Sequence, residues 1–144
     1  MWFVHDRYYY YICTTYRLFA TRMKCENIFI NLSHHPSSGW SHEQLESARK
    51  YGDIVDMAFP QVEPLMTSNQ IKALASKLVG LIMTYGNPTD ITVHVMGEMT
   101  LVYHIVSRLK RRGVRCVAST TERVATVVDG KNVSEFHFVQ YREY

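Results

Sequence analysis

From Asn27 onward the chain alternates between two patterns: short continuous apolar runs, and longer stretches with an apolar residue every three or four positions. The first run, Asn27 to Leu32 (NIFINL), has the composition of a strand buried on both faces. Ser41 stands three residues before Gln44, in capping-box spacing, and predicts a helix that runs to Tyr51 and stops at Gly52. Asp53 to Phe59 (DIVDMAF) predicts a second strand ended by Pro60, and the QVEPLMT that follows, with its own proline, reads as a crossover loop. From Ser68, residues Ile71, Leu74, Leu78, Leu81 and Ile82 fall on one helical stripe, closed by Gly86-Asn87-Pro88. Asp90 to Met96 (DITVHVM) predicts a third strand. Thr100 to Arg112 predicts a third helix, with Lys110, Arg111 and Arg112 at its negative end and Gly113 as its C-cap.

Val114 to Ser119 (VRCVAS) predicts the fourth strand, after which Val124 to Val128 and Val133 to Val139 flank Asp129-Gly130 as a hairpin. The order βαβαβαβ plus a hairpin predicts a Rossmann-like three-layer α/β fold: a mainly parallel sheet, helices on both faces, antiparallel strands at the end. No repeat or low-complexity stretch divides the 144 residues, which fit one domain.

Residues 1–22 differ from the rest. They hold 8 of the 18 aromatic residues, including Tyr8 to Tyr11, and have no periodicity that matches anything downstream. Arginines and tyrosines interrupt the continuous apolar middle that a secretory signal needs. Met23 stands directly before Lys24-Cys25-Glu26 and the first strand, so the expectation is that Met23 is the true initiator, residues 1–22 are an extension outside the domain, and residues 23–144 are the domain. An aromatic arm used for association is the alternative.

Charge narrows the choice of partner. The formal net charge is +3, and Arg7, Arg17 and Arg22 against Asp6 supply +2 of it, so the domain proper is nearly neutral. A long nucleic acid asks for a broad basic surface, whereas a small anionic ligand asks only for a local cluster. No stretch approaches the roughly 18–20 uninterrupted apolar residues of a membrane helix. Cys13, Cys25 and Cys116 lack CxxC spacing, which argues against a disulfide framework or zinc site and fits a reducing, cytoplasmic setting, with Cys116 a buried core thiol.

In an open α/β sheet, ligands bind beyond the carboxyl ends of the strands, where helix N-termini also point. Three loops fall there. The first, Asn31 to Ser41 (NLSHHPSSGWS), is dense in hydroxyls and imidazoles. Asn31 and Ser33 lie where the strand ends, Ser33, Ser37 and Ser38 are donors for phosphate oxygens, Trp40 is a stacking surface, and His34 or His35 is a proton shuttle. Ordinary turn chemistry accounts for the same residue types. Adjacent histidines project differently, and no carboxylate or cysteine stands at a recognised ligand spacing, so neither a metal nor another cofactor is expected. His94, inside an apolar strand, is read as a core imidazole and left out of the site.

The second loop is Gly97-Glu98-Met99-Thr100. Its glycine permits close backbone approach, and Glu98 serves either a ribose hydroxyl and acid–base chemistry or the dipole of the helix it opens. The third, Ser119-Thr120-Thr121-Glu122-Arg123, offers hydroxyls and a guanidinium suited to a phosphate, or else a surface turn into the hairpin. Neither GxGxxG nor GxxxxGK follows the first strand, which argues against dinucleotide binding and P-loop hydrolysis.

Ile30-Asn31-Leu32-Ser33-His34, followed by a proline and by Gln44 on the first helix, resembles the opening of small stand-alone CRISPR-associated ring nucleases, relatives of the Rossmann-like CARF sensors of cyclic oligoadenylates. The chain is also similar to a bacterial family of short proteins sharing NLS-HPSS-W (Asn31 to Trp40), VHVMGE (Val93 to Glu98) and F-FV-REY (Phe136 to Tyr144). The first resemblance implies cyclic tetra-adenylate bound across a homodimer and metal-independent cleavage by a ribose 2′-hydroxyl. His34 or His35 would be base or acid, and Arg123 the charge stabiliser. It equally allows a sensor that binds without cleaving, and an interaction module using Tyr141 to Tyr144 is a third possibility.

Overall fold

The computed structural model describes residues 27–128 and 131–144. The expectations for residues 1–22, Met23 and the Asp129-Gly130 turn lie outside these described residues. Strands β1 (Ile28–Ser33), β2 (Asp53–Ala58), β3 (Ile91–Val95), β4 (Arg115–Val128) and β5 (Lys131–Glu143) alternate with helices α1 (His42–Arg49), α2 (Ser68–Ile82) and α3 (Met99–Lys110) as far as β4. They form one sheet in the order β2-β1-β3-β4-β5, parallel except for the β4–β5 pair. The Rossmann-like α/β expectation holds. The connection reverses direction between β1 and β3, which places a topological switch point at the carboxyl ends of those two strands.

Alternation along each strand divides the side chains between two cores. Ile30, Leu32, Val93 and Val95 face the layer where Ile71, Ala75, Val79 and Ile82 of α2 meet Leu101, Ile105 and Leu109 of α3. Each such fully buried aliphatic side chain contributes about 1.5–3 kcal/mol of transfer free energy. The opposite face has a smaller, aromatic core: Phe29, Ala48 of α1 and Val117, flanked by Trp40, Tyr51, Ile54 and Tyr141. Cys116 is buried as expected, and burial pushes its thiol up to about 12.

Three features differ from the sequence-based reading. The buried face of α2 is centred on Ile71, Ala75, Val79 and Ile82, with Leu81 half exposed. Ala75 is fully buried on that face, a position that a count of large apolar residues overlooks. α3 begins at Met99 because the Glu98 carboxylate caps it, accepting from the N–H groups of Thr100 and Leu101. Finally, Ser119 to Arg123 is not a loop. β4 runs without a break through these residues because β5 supplies a partner along its length, from Val117 opposite Glu143 to Val128 opposite Lys131. β-branched Thr120, Thr121 and Val124 suit the strand, and the irregularity is confined to a register shift between Thr120 and Thr121.

Candidate functional site

On the α1 face, near the carboxyl edge of the sheet, one row of side chains is polar. Asp56, Asn31 and His94 sit directly opposite one another on β2, β1 and β3. Asn31 Nδ2 donates to Asp56 Oδ1 at 2.7 Å and to the His35 carbonyl at 2.8 Å. Asn31 Oδ1 accepts from Ser33 Oγ at 2.8 Å and meets His94 Nδ1 at 3.0 Å. His94 Nε2 lies 3.1 Å from Ser119 Oγ on β4. A single hydrogen-bonded chain therefore crosses four adjacent strands.

The proton positions follow from this chain. Neither oxygen that receives Asn31 Nδ2 carries a hydrogen, so the amide orientation is fixed and Oδ1 is an acceptor. His94 Nδ1 must then hold the imidazole proton, which leaves Nε2 as a bare lone pair accepting from the Ser119 hydroxyl. Asn31, Ser33 and His94 are each at most 5% exposed. Phe29 stacks on His94 with ring centroids 6.2 Å apart, while Trp40 and Tyr141 stand edge-on to it at 5.7 and 5.3 Å.

Burial of the imidazole, with a smaller contribution from the neighbouring His35 charge, pushes His94 from 6.5 down to about 4. The unfolded chain therefore binds more protons than the fold between those values. The stability tied to neutral His94 is fully present above pH 6.5 and falls away toward pH 4, by about 3 kcal/mol over the window. Urea unfolding at pH 7 and pH 4.5 should show this loss, and His94→Gln should flatten it. At Asp56, burial alone would raise the carboxyl, but hydrogen bonds from Asn31 and from the Ser37 side chain and backbone outweigh it and hold the group below the usual carboxylate range.

The same row anchors the first loop. Asp56 accepts from the Ser37 N–H (3.0 Å) and Ser37 Oγ (2.7 Å), and Ser33 Oγ accepts the His35 N–H (3.1 Å). A short 3-10 turn, Ser37–Gly39, follows, and Ser41 then caps α1 through the Gln44 N–H as its spacing predicted. The result is a pinned rim. Asn31, Ser33 and Ser37 hold the loop, His35 and Ser38 are exposed on it, and Trp40 is half-buried against His94, whereas the exposed His34 turns to the other face and stands edge-on to Phe59 at 5.3 Å.

The remaining expected residues divide between places. Ser119 joins the row, and Thr120 beside it donates to the Gln140 carbonyl. Thr121 lies past the register shift. Arg123 is four residues further along β4, roughly 13 Å by strand rise, and its guanidinium donates to Ser134 Oγ at 2.8 and 3.0 Å. The third cluster thus contributes Ser119 to the row and leaves Arg123 out on the hairpin, because the segment is extended rather than turned.

A Cβ on Gly97 would lie 2.5 Å from the Phe59 ring, so the close approach this glycine permits is a packing contact between two loops. Glu98 is committed to capping α3; hydrogen bonds from Thr100 and Leu101 hold its carboxyl below the ordinary value. Glu98 and Met99 line a cleft of about 660 Å³ with Val62, Met66 and Tyr103, on the α2–α3 side of the sheet rather than beside His94. No group of three or more His, Cys, Asp or Glu side chains converges as a metal site among the described residues.

His94 and Asp56 are the residues that sequence reasoning passed over. Each is a polar residue near the carboxyl end of a mainly apolar strand, DITVHVM and DIVDMAF, and each is in register with Asn31 of NIFINL. The recurrence of a polar residue near the carboxyl end of three mainly apolar strands was the available signal.

Helices on both faces of a mainly parallel sheet, with a hydrogen-bonded polar row at its switch point, define a Rossmann-like α/β protein. Residues 27–142 match the model of the Uncharacterized protein MJ1673 family, and the chain belongs to that family. No curated protein matches the chain. No helix among the described residues is long and apolar enough to cross a membrane.

Proposed function

We propose that the protein binds a small anionic nucleotide at the carboxyl edge of its sheet, of the cyclic oligoadenylate class, and opens the ring by metal-independent attack of a ribose 2′-hydroxyl. The observation that carries this reading is the Ser119–His94–Asn31–Asp56 chain at the switch point, since a hydroxyl backed by a neutral imidazole supplies acid–base chemistry where such sheets take their ligands. The rim adds Ser38 and the exposed His35 as donors, with Trp40 on the same face, while His34 stands on the other face against Phe59. The resemblance of Ile30 to His34 to the ring nucleases favours a cyclic adenylate over other nucleotides, and their CRISPR-type antiviral signalling in the cytoplasm is the setting it implies. No role is given to Arg123, which is engaged with Ser134.

A homodimer completes the reading. A cyclic ligand with two-fold symmetry is matched by two copies of one pocket, and Phe136 and Val139 on the outermost strand β5 expose apolar surface suited to a second chain. Incubating the purified protein with radiolabelled cyclic oligoadenylates of different ring sizes tests the function. The expected result is retention of a cyclic adenylate followed by linear products ending in a 2′,3′-cyclic phosphate. Retention without cleavage would leave a sensor, and no retention of any ring would overturn the reading.

A further inference from the structure

We infer that Ser119 is the residue that meets the attacking 2′-hydroxyl, with His94, Asn31 and Asp56 as positioning residues behind it; this rests on the nucleotide reading above. The direction of the hydrogen bonds carries the inference. The only hydrogen on Ser119 Oγ points to His94 Nε2, because Nδ1 of that ring is already the donor to Asn31 Oδ1. Ser119 therefore presents lone pairs and suits a ligand group that donates, such as a ribose hydroxyl. It does not suit a phosphate oxygen, which would compete with His94 for the same hydrogen.

Position supports the same assignment. Pairing of β4 with β3 stops at Val117 opposite His94, so Ser119 stands two residues beyond, half-buried at the mouth of the sheet, while His94 is sealed beneath it by Phe29, Trp40 and Tyr141. The imidazole has no route to a ligand except through this hydroxyl. The register shift immediately after it, between Thr120 and Thr121, is the kind of irregularity that re-aims a side chain at a strand's working end.

The proton movement balances. As the 2′-oxygen forms its bond to the adjacent phosphorus, its proton passes to Ser119 Oγ and the serine's own proton passes to His94 Nε2. The bond from phosphorus to the 5′-oxygen breaks, and the departing oxygen takes a proton from water or from the His35 imidazole on the rim. The phosphate ends as a 2′,3′-cyclic diester, and the imidazolium returns its proton to solvent through Ser119. Asn31 Oδ1 accepts from the imidazolium Nδ1 throughout, and the Asp56 carboxylate holds the Asn31 amide in that orientation.

The test uses the full chain with cyclic tetra-adenylate, reading the dissociation constant by calorimetry and the cleavage rate under single-turnover conditions. Ser119→Ala is expected to slow cleavage roughly 10²–10⁴-fold while the dissociation constant moves less than about tenfold, and Ser119→Thr, which restores the hydroxyl, is expected to recover most of the rate. Far-ultraviolet circular dichroism confirms that each variant is folded. Cleavage by Ser119→Ala at the wild-type rate would overturn the role of Ser119 and leave the nucleotide reading intact. Binding without cleavage by the wild type would likewise overturn the relay while leaving a binding protein, and absence of binding would overturn both.

Discussion

Alanine at position 52 is expected to destabilise the protein by about 4 kcal/mol, combining an unfavourable backbone conformation with a clash that has nowhere to relax. Gly52 joins α1 to β2 with φ of +149°, and a Cβ there would lie 2.0 Å from the Asn27 carbonyl oxygen. That oxygen also accepts the Asp53 N–H at 2.8 Å, the first hydrogen bond between the β1 and β2 strands. The atom in the way is backbone rather than a side chain that can swing aside. Relief requires separating the strands where Ile28 begins to pair with Asp53, and with them the register that sets Asn31 beside Asp56. Guanidinium unfolding of Gly52→Ala against wild type measures the effect. Gly39→Ala, at a glycine with open space around its would-be Cβ, is the control that should move little.

Replacing Asn31 by leucine is expected to cost about 3 kcal/mol even though the two side chains are nearly equal in size, because it strips the buried His94 ring of its acceptor and removes the donor that Asp56 and the His35 carbonyl share. The His94 Nδ1–H loses its acceptor beneath three aromatic rings, and the His35 carbonyl and Asp56 lose the donor that ties the loop to the sheet. Asp56 keeps its two bonds from Ser37, so the loop should loosen rather than detach, and faster amide exchange at His35 and Ser37 should accompany the loss of stability. A change below about 1 kcal/mol would mean that the polar row does not frame this end of the sheet.

Much of the architecture was legible because burial repeats along the chain. NIFINL and DITVHVM read as buried strands, the stretch from Ser68 as an amphipathic helix, and Gly113, at φ of +80°, as a helix stop, although the Thr67 cap and the end of the helix at Ile82 came only with the structure. Pattern reasoning failed where partners distant in sequence decide the outcome. Ser119 to Arg123 is polar enough to read as a surface turn, but its threonines suit a strand, and the alignment of β5 beside it extends the segment and carries Arg123 away from the edge. The site was half legible for the same reason. Asn31, Ser33 and Ser37 were identified, but their role is to hold the loop, a role set by Asp56 from another strand. His94 read as a core imidazole and is one, 2% exposed; what the sequence could not supply is the register that puts Asn31 on one nitrogen and Ser119 on the other.

Isothermal titration of the purified protein with cyclic tetra-adenylate at pH 7 tests the central claim most directly, since the nucleotide reading and the dimer both enter the stoichiometry. The expected result is saturable binding of one ring per two chains, weakened by Trp40→Ala at the rim and not by Arg123→Ala on the hairpin. The absence of heat with this and larger cyclic adenylates, from protein shown by its unfolding transition to be folded, would contradict it.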